Sequence, residues 1–445
     1  MVALHLATRT GAGHRLRHPG AMNATVANAS SQVADVAVIG CGIVGLSAAF
    51  HLRRRGLSCL LIDARGPAAE TSFGNAGSIS VGNVMPQSTP GIAWKALRML
   101  ANPLAPLKLD WGVSPAYARW LLQFLWQGKR DKVVPVVDAL NAINTAARAA
   151  WLDIGERIGA EDLIAHTGYL HVYSEPETFA RGEWERQLMR ERGVAFDVLD
   201  RHQLRDLEPD IGDRFQQAVF QRDSLAMRNP GGFCRRLFDD LVAGGAQPLI
   251  ATVSSIRREG NGYRITSDRG SAHAGRIVLA AGAWSNRLLQ PFGVKLPVIP
   301  ARGYHLMYPQ QDEVVRRPTL WAERYMVVSP MQQGVRMTSI KELTALGRDP
   351  QYALIRRLDP EVHKLFPMLS GQPVAEWAGN RPCTPDSLPI LDRVADEQIY
   401  LATGHGHLGL TQGPISGKLI DQLMAGEATD IPLRPYRLGR FSGRD

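Results

Sequence analysis

The stretch from Ala34 to Ala64, ADVAVIGCGIVGLSAAFHLRRRGLSCLLIDA, constrains the fold more than any other part of the chain. It reads as a short apolar strand (Val36 to Ile39), a glycine turn, a helix, and a second apolar strand (Leu60 to Ile62) that ends on an acid. In such a unit Gly40 permits the tight turn, Gly42 lets backbone approach a pyrophosphate, and Gly45 lets the helix pack close to the strand. The free N–H groups at the helix start, around Ile43 and Val44, face the phosphates. Asp63 is spaced to accept from a ribose hydroxyl, with Ala64 and Arg65 beside it. A glycine-x-glycine turn alone is weak evidence, but strand, helix, the helix stop at Gly56 and the terminal acid agree, so the unit predicts dinucleotide binding.

At 445 residues the chain is long enough for two large domains or about three ordinary ones. Its 45% hydrophobic and 21% charged residues exclude a disordered or collagen-like chain, and 43 glycines point to many tight turns. The four cysteines, Cys41, Cys59, Cys234 and Cys383, are spread without a C-x-x-C pair, which excludes a disulfide framework and a zinc knuckle and fits a reducing, cytoplasmic setting. No apolar run approaches the roughly 18 residues of a spanning helix. The net charge of +9 suits an anionic cofactor, substrate or surface without choosing among them. Residues 1–33 hold no acid and lack the apolar core of a secretory signal, so they read as a tail, and Met22 is an alternative start.

Two later segments extend the cofactor argument. GRIVLAAGAWS (Gly275 to Ser285) is a second apolar strand running into glycine, and it follows a β-like run from Tyr263 to Thr266 and a turn at Asp268 to Gly270. IYLATGHGHLGLTQGPISGKLIDQLMAG, near the end, is a strand (Ile399 to Ala402), a glycine turn and an amphipathic helix with Ile415, Leu419, Ile420 and Leu423 on one face. Two helix starts aimed at electron-rich groups imply an extended cofactor.

Five motifs in order, namely the glycine fingerprint, TSFGNAG (Thr71 to Gly77), VLAAGAWS, NRPCTPDSLPI (Asn380 to Ile390) and GHGHLGLT (Gly404 to Thr411), resemble the D-amino-acid oxidase family of FAD enzymes. The chain is most similar to its D-amino-acid dehydrogenase and glyphosate-oxidoreductase-like members, over about residues 34 to 430. One departure stands out: relatives commonly read Pro-Ile-Ile-Gly-Arg where this chain has Pro389, Ile390, Leu391, Asp392 and Arg393. The resemblance implies an α/β (α+β overall) fold, with a Rossmann-like FAD-binding domain from 34–85, 225–290 and 375–430. A discontinuous, mainly antiparallel substrate domain would come from 86–224 and 291–374, and 431–445 would be a second tail. It places noncovalent FAD with its adenine on Val253, its ribose on Asp63, and its ring near Ser72, Asn75, Ala76 and Gly77. Ala281, Gly282 and Trp284 would lie along the cofactor. Gly406, His407, Leu408, Gly409, Leu410 and Thr411 would cover the pyrimidine end, where helix-start N–H groups stabilise charge on the reduced ring.

On the substrate side the resemblance assigns Arg381 to grip a carboxylate with its planar fork; otherwise it is a surface arginine before a turn. Tyr325, in ERYMVVSP, matches an active-site tyrosine that assists the same carboxylate. Tyr304 and His305, in ARGYHLMYP, are candidates for substrate orientation, with core packing as the alternative. His405 and His407 have no third ligand nearby, which argues against a metal, and Cys383 does not fall at the position where some relatives attach flavin.

The expected activity is oxidation of the C–N bond of a small amino acid: a D-amino acid, a cyclic imino acid such as a D-proline or hydroxyproline derivative, or an N-substituted glycine. The electron acceptor is expected to be oxygen or a membrane quinone. A tRNA-modifying flavoprotein and a noncatalytic flavin-binding subunit are the alternatives, but no basic arm for nucleic acid is visible and Arg381 argues for catalysis. Residues 71–130, with one acid, six Lys or Arg and the tryptophans Trp94, Trp111, Trp120 and Trp126, read as a pair of core helices packed over the cofactor. The alternative is a peripheral contact with the inner face of a membrane.

Overall fold

The computed structural model describes residues 33–441 apart from 111, 113 and 312. The expected amino-terminal tail, Met22 and Trp111 therefore lie outside the described residues. Strand β1 (Val33–Ile39) leads into helix α1 (Ile43–Arg54) and strand β2 (Cys59–Asp63), and from Val36 onward β1 is buried continuously. Unbroken burial without alternation is what a strand covered on both faces requires.

β1 pairs in parallel with β2 on one side and with Gly270–Leu279 on the other. Gln247–Ile250 extends the parallel set beyond β2. Gly270–Leu279 is long enough to hold the antiparallel hairpin of Val253–Glu259 and Gly262–Ser267 on its first half and parallel Ile399–Thr403 on its second. Ile390–Arg393 completes this eight-stranded sheet, antiparallel to Ile399–Thr403. The departure at Asp392 leaves that strand intact, and its Oδ2 accepts from the Leu438 N–H at 2.9 Å.

The second sheet has nine strands and is mainly antiparallel. Its functional half is the series Ala375–Cys383, Ile299–Tyr308, Gly334–Leu343 and Met326–Met331. Ala375–Cys383 thus corrects the expected boundary at 375, because hydrogen bonding along Ile299–Tyr308 places it in this sheet and not with the cofactor strands.

Helix Gly409–Ala425 crosses α1 at close range. A Cβ on Gly417 would lie 2.4 Å from the carbonyl carbon of Ser47, and one on Gly413 would meet Ile43. The long helix Arg130–Arg157 buttresses the other side, where the Trp151 indole N–H donates to the carbonyls of Leu410 and Thr411 at 3.0 and 3.2 Å. Small residues at the crossing bring the amino termini of both helices to one cavity.

Two expectations about the periphery are corrected. Residues 431–441 are not a tail: Tyr436 is buried with its hydroxyl on the Ala139 carbonyl at 2.6 Å, and Arg440 pairs with buried Asp386 at 2.7 Å. Nor are the two helices between residues 90 and 130 core helices. Ile92–Ala101 buries no side chain, and Trp94 and Leu97 on it are exposed, as are Leu122, Leu125 and Trp126 on Ser114–Gln127. Trp120 alone follows the core reading, buried with its indole N–H on the Cys383 carbonyl at 3.1 Å. Among the described residues no helix is long and apolar enough to cross a membrane.

Candidate active site

A cavity of about 1470 Å³ opens between the two sheets. Its floor is the start of α1 (Gly42, Ile43, Val44), and its walls include Ser72, Asn75, Ala76, Gly282 and the turn from Gly406 to Thr411. The turn beneath the floor requires glycine at two positions: Gly40 has φ +106° and a Cβ there would lie 2.4 Å from the Ala280 carbonyl oxygen, while a Cβ on Gly45 would lie 1.9 Å from that of Gly40. The N-cap residues Gly42 and Leu408 supply no side-chain cap to α1 or to the helix Gly409–Ala425, and neither helix has an acid in its first turn, although the Ile43 N–H donates to Ser72 Oγ at 3.1 Å. Exposed N–H groups at two convergent positive helix ends fit the phosphates and anionic ring edge of a flavin dinucleotide.

Asp63 has a role inside the chain. Its Oδ2 accepts from the Cys41 N–H at 2.8 Å and its Oδ1 from those of Arg65 and Gly66 at 2.9 and 3.1 Å. Burial pushes its carboxyl up from the ordinary value, against these bonds, which pull it down. The carboxylate thus holds the glycine turn against the end of β2. Val253 follows the strand whose Ile250 pairs with Asp63, so it lies at the same end of the sheet. Asp63, Ala64, Arg65 and Val253 are off the cavity wall.

The loop Thr71–Gly77 is held from the opposite sheet. Buried Arg336 donates through Nη1 to the carbonyls of Phe73 and Asn75 at 2.9 and 2.6 Å, and the His305 ring faces the Gly74 carbonyl at 3.2 Å. Burial and the neighbouring Arg336 charge push His305 far below the ordinary histidine value, so it is neutral and Nδ1 carries the donated proton. Trp377 stacks on His305 with centroids 5.2 Å apart and covers Gly74, where a Cβ would fall 2.0 Å from the indole. Three successive carbonyls of the loop are therefore fixed by the second sheet.

Arg381 lies on the cavity wall, and its position has a local cause. In Ala375–Cys383 it pairs with Ala301, and its side chain folds over the adjacent Gly303, where a Cβ would lie 2.2 Å from the guanidinium carbon. Nη1 then reaches the Ile340 carbonyl on the next strand at 3.1 Å. The register there slips: Arg302 pairs with Glu342 and Tyr304 with Ser339, so Ile340 and Lys341 together oppose Gly303. Ile340, a β-branched residue, takes φ +65° at this bulge, a strained state that costs on the order of 1–3 kcal/mol and is characteristic of functional sites.

Lys341 was not foreseen from the sequence, and it lines the same cavity. Its Nζ donates to Gln87 Oε1, and Gln87 Nε2 lies 2.6 Å from His407 Nδ1. Because the lysine can only donate, the amide orientation is fixed, and His407 accepts at Nδ1. Burial, reinforced by the charges of Arg381 and Lys341, pushes His407 down to about 3. Tyr325 is also on the wall, half-exposed, at φ +48° in the turn after Thr319–Trp321, with the Lys95 ammonium 5.0 Å from its ring centroid.

Other expected residues fall elsewhere. Tyr304 is fully buried in the core behind the sheet, its hydroxyl on Glu342 and on the Gln351 N–H at 3.1 Å, because strand alternation turns it away from the cavity. His305 is likewise off the wall and acts on the loop carbonyl. Ala281 and Trp284 stand behind Gly282, and Gly77 is behind Ala76. His405 bonds Ser416 Oγ at 2.9 Å, and among the described residues no group of three metal-ligating side chains exists. Lys341, Gln87 and Arg336 carried no motif; the one signal was a basic residue within otherwise strand-like sequence.

Comparison with known proteins agrees with this geometry. A family model described as FAD dependent oxidoreductase (DAO) matches residues 35–423. A D-amino-acid oxidase from Bradyrhizobium diazoefficiens is 30% identical over 419 residues, covering 91% of this chain and 98% of that protein. A D-amino acid dehydrogenase from Rhizobium rhizogenes is 28% identical over 416 residues, covering 91% and 99%. Among solved structures, glycine oxidase from Geobacillus kaustophilus superposes with TM-score 0.74 at 18% identity, covering 92% of this chain and 99% of that one. L-proline dehydrogenase from P. horikoshii gives 0.71 at 18%, covering 93% and 98%.

Two outcomes follow for the site. Gly303→Ala should retain the fold and the cofactor, because the obstructed atom is the end of a flexible side chain, yet lower kcat/KM about tenfold or more by displacing the guanidinium; an unchanged kcat/KM contradicts this seating. His407, a base whose folded value lies near 3, stays neutral above that pH. The pH profile of kcat/KM should therefore show no ionisation between pH 5 and 9 that disappears in His407→Gln, and finding one near 6.5 would refute the neutral assignment.

Proposed function

The chain belongs to the FAD dependent oxidoreductase family, and from that membership we propose that it oxidises the C–N bond of a small amino or imino acid whose carboxylate is gripped by Arg381. The observation that carries the reading is the seating of Arg381 over Gly303 on the cavity wall. Among the described residues Arg381 has no ion pair, and its one hydrogen bond goes to a carbonyl. A half-buried guanidinium on a cavity wall without a counter-charge is poorly compensated unless a ligand provides one. An α-carboxylate matches its planar fork. The relatives named D-amino-acid oxidase, D-amino acid dehydrogenase and glycine oxidase support the same substrate class.

When bound, FAD supplies the acceptor for a hydride. The substrate loses that hydride from Cα and a proton from nitrogen, giving an imine that water hydrolyses. The protein's part is positional: Arg381 fixes the carboxylate, which sets where Cα points, and the walls of Tyr325, Ile340 and Leu408 limit what surrounds it. The positive charges of Arg381 and Lys341 favour a neutral amine, whose lone pair drives loss of hydride, so no protein base is needed. The reading keeps the cofactor noncovalent, since Cys383 is buried off the cavity wall. Asp63 and Val253, at the end of β2, are proposed for the ribose and adenine.

The test is anaerobic bleaching of the flavin with D-amino acids, proline isomers and N-alkylglycines, in the parent and in Arg381 variants. A charge-assisted fork is worth about 2–5 kcal/mol, so Arg381→Ala should lower kcat/KM roughly thirtyfold to several thousandfold. Arg381→Lys should recover little, because a point charge attracts the carboxylate without aiming Cα. A variant that keeps its flavin and oxidises amino acids within about threefold of the parent would falsify the clamp.

A further inference from the structure

Lys341 and Arg381 place two cationic side chains on one cavity wall with no acid between them. Among the described residues neither lies within 4 Å of a carboxylate, since no ion pair includes either one. Glu342, next in sequence to Lys341, points to the opposite face, where it pairs with Arg302 at 3.6 Å and receives the Tyr304 hydroxyl. The carboxylates on the cavity wall are Glu175, Glu185 and Glu323, and Glu323 is engaged by the backbone N–H groups of Ser174 and Glu175 at 3.2 and 3.1 Å. His407, the third basic group near the pair, contributes no positive charge.

The backbone is distorted to create this arrangement. The bulge sets both Ile340 and Lys341 opposite Gly303, and the guanidinium of Arg381 lies over that same Gly303. The two cationic residues therefore approach one point of the wall from the two strands that flank Ile299–Tyr308, at about twice the roughly 4.8 Å that separates neighbouring strands. Gln87 holds the lysine amino group and the Ile340 carbonyl holds the arginine, so each cation is positioned by a neutral partner. The charge balance is specific. An amino acid with one carboxylate leaves one of the two half-buried cations unmatched, whereas a second carboxylate in the same molecule neutralises both.

We propose that Lys341 is a specificity-determining residue that binds a second anionic group, and that the preferred substrates are short amino or imino acids with two carboxylates. This inference rests on the reading of Arg381 as the clamp for the α-carboxylate. D-Aspartate, D-glutamate and N-carboxymethylglycine belong to the class, and their monocarboxylate counterparts 2-aminobutyrate, norvaline and N-ethylglycine differ chiefly in lacking the second charge.

The test separates binding from turnover. Purified holoenzyme is titrated with succinate and with butyrate, unreactive anions of equal chain length, by the change each produces in the flavin spectrum. Succinate should bind at least about tenfold more tightly than butyrate, and Lys341→Gln should bring the ratio to within about threefold of one. Lys341→Arg should keep most of the preference, which a merely structural role for the lysine does not predict. Equal binding of the two anions by the parent overturns the proposal without recourse to any variant. A ratio unchanged by Lys341→Gln also overturns it, because the lysine would then share the one carboxylate with Arg381. Turnover distinguishes the two readings: neutral D-amino acids that bleach the flavin alongside a flat anion ratio sink only the dianion site. A succinate preference that depends on Lys341, in a protein no amino acid reduces, upholds the dianion site and removes the C–N oxidation.

Discussion

An arginine can lie flat across a neighbouring strand only where that strand offers no side chain. Gly303 provides the gap, the Ile340 carbonyl provides the acceptor, and the bulge that places Ile340 opposite Gly303 provides the reach. Arg381, Gly303 and Ile340 belong to separate segments of sequence and meet only through the register of three adjacent strands. The chemistry proposed for the cavity depends on this contact, because it fixes a planar cation on the wall shared with the glycine turns at Gly42 and Gly406. The strain at Ile340 is part of the same device: a relaxed strand would remove the extra residue and turn Lys341 to the other face.

The two sheets are coupled through the loop Thr71–Gly77. Its side chains face the cavity, while its carbonyls are held by Arg336 and His305 from the sheet that also bears Arg381. The loop and Arg381, which line the same cavity, thus share one support, which keeps their separation constant. Among the described residues buried Arg336, like Arg381, has no carboxylate partner, but it donates to two carbonyls and lies over the Phe73 ring. That satisfaction by backbone and ring marks it as structural, in contrast to the groups on the cavity wall.

Sequence alone revealed the cofactor side well. The apolar strands, the glycine turn, the helix stop at Gly56 and the late strand-turn-helix are local features whose residue types report their backbone, and all appear where expected. Arg381 and Tyr325 were legible through their motifs, and both reach the cavity. Tyr304 and His305 were misjudged because which face a strand residue occupies is decided by register, and the bulge that shifts the register leaves no local signature. Lys341 was invisible for the same reason. The helices around Trp94 and Trp126 were misread as core because amphipathic sequence records an apolar face but not what covers it. Residues 431–441, short and polar in appearance, are fixed by Tyr436 and Arg440 through partners almost three hundred and about fifty residues away in sequence, respectively.

The most direct measurement is a crystal structure of the FAD-bound protein with an unreactive carboxylate in the cavity. The account predicts the carboxylate in the plane of the Arg381 guanidinium, with two N–H···O contacts of about 2.7–2.9 Å, Gly303 beneath it and the flavin ring between the Gly406–Thr411 turn and Ser72–Ala76. A carboxylate bound elsewhere in the cavity, with Arg381 turned to a protein partner, would contradict it.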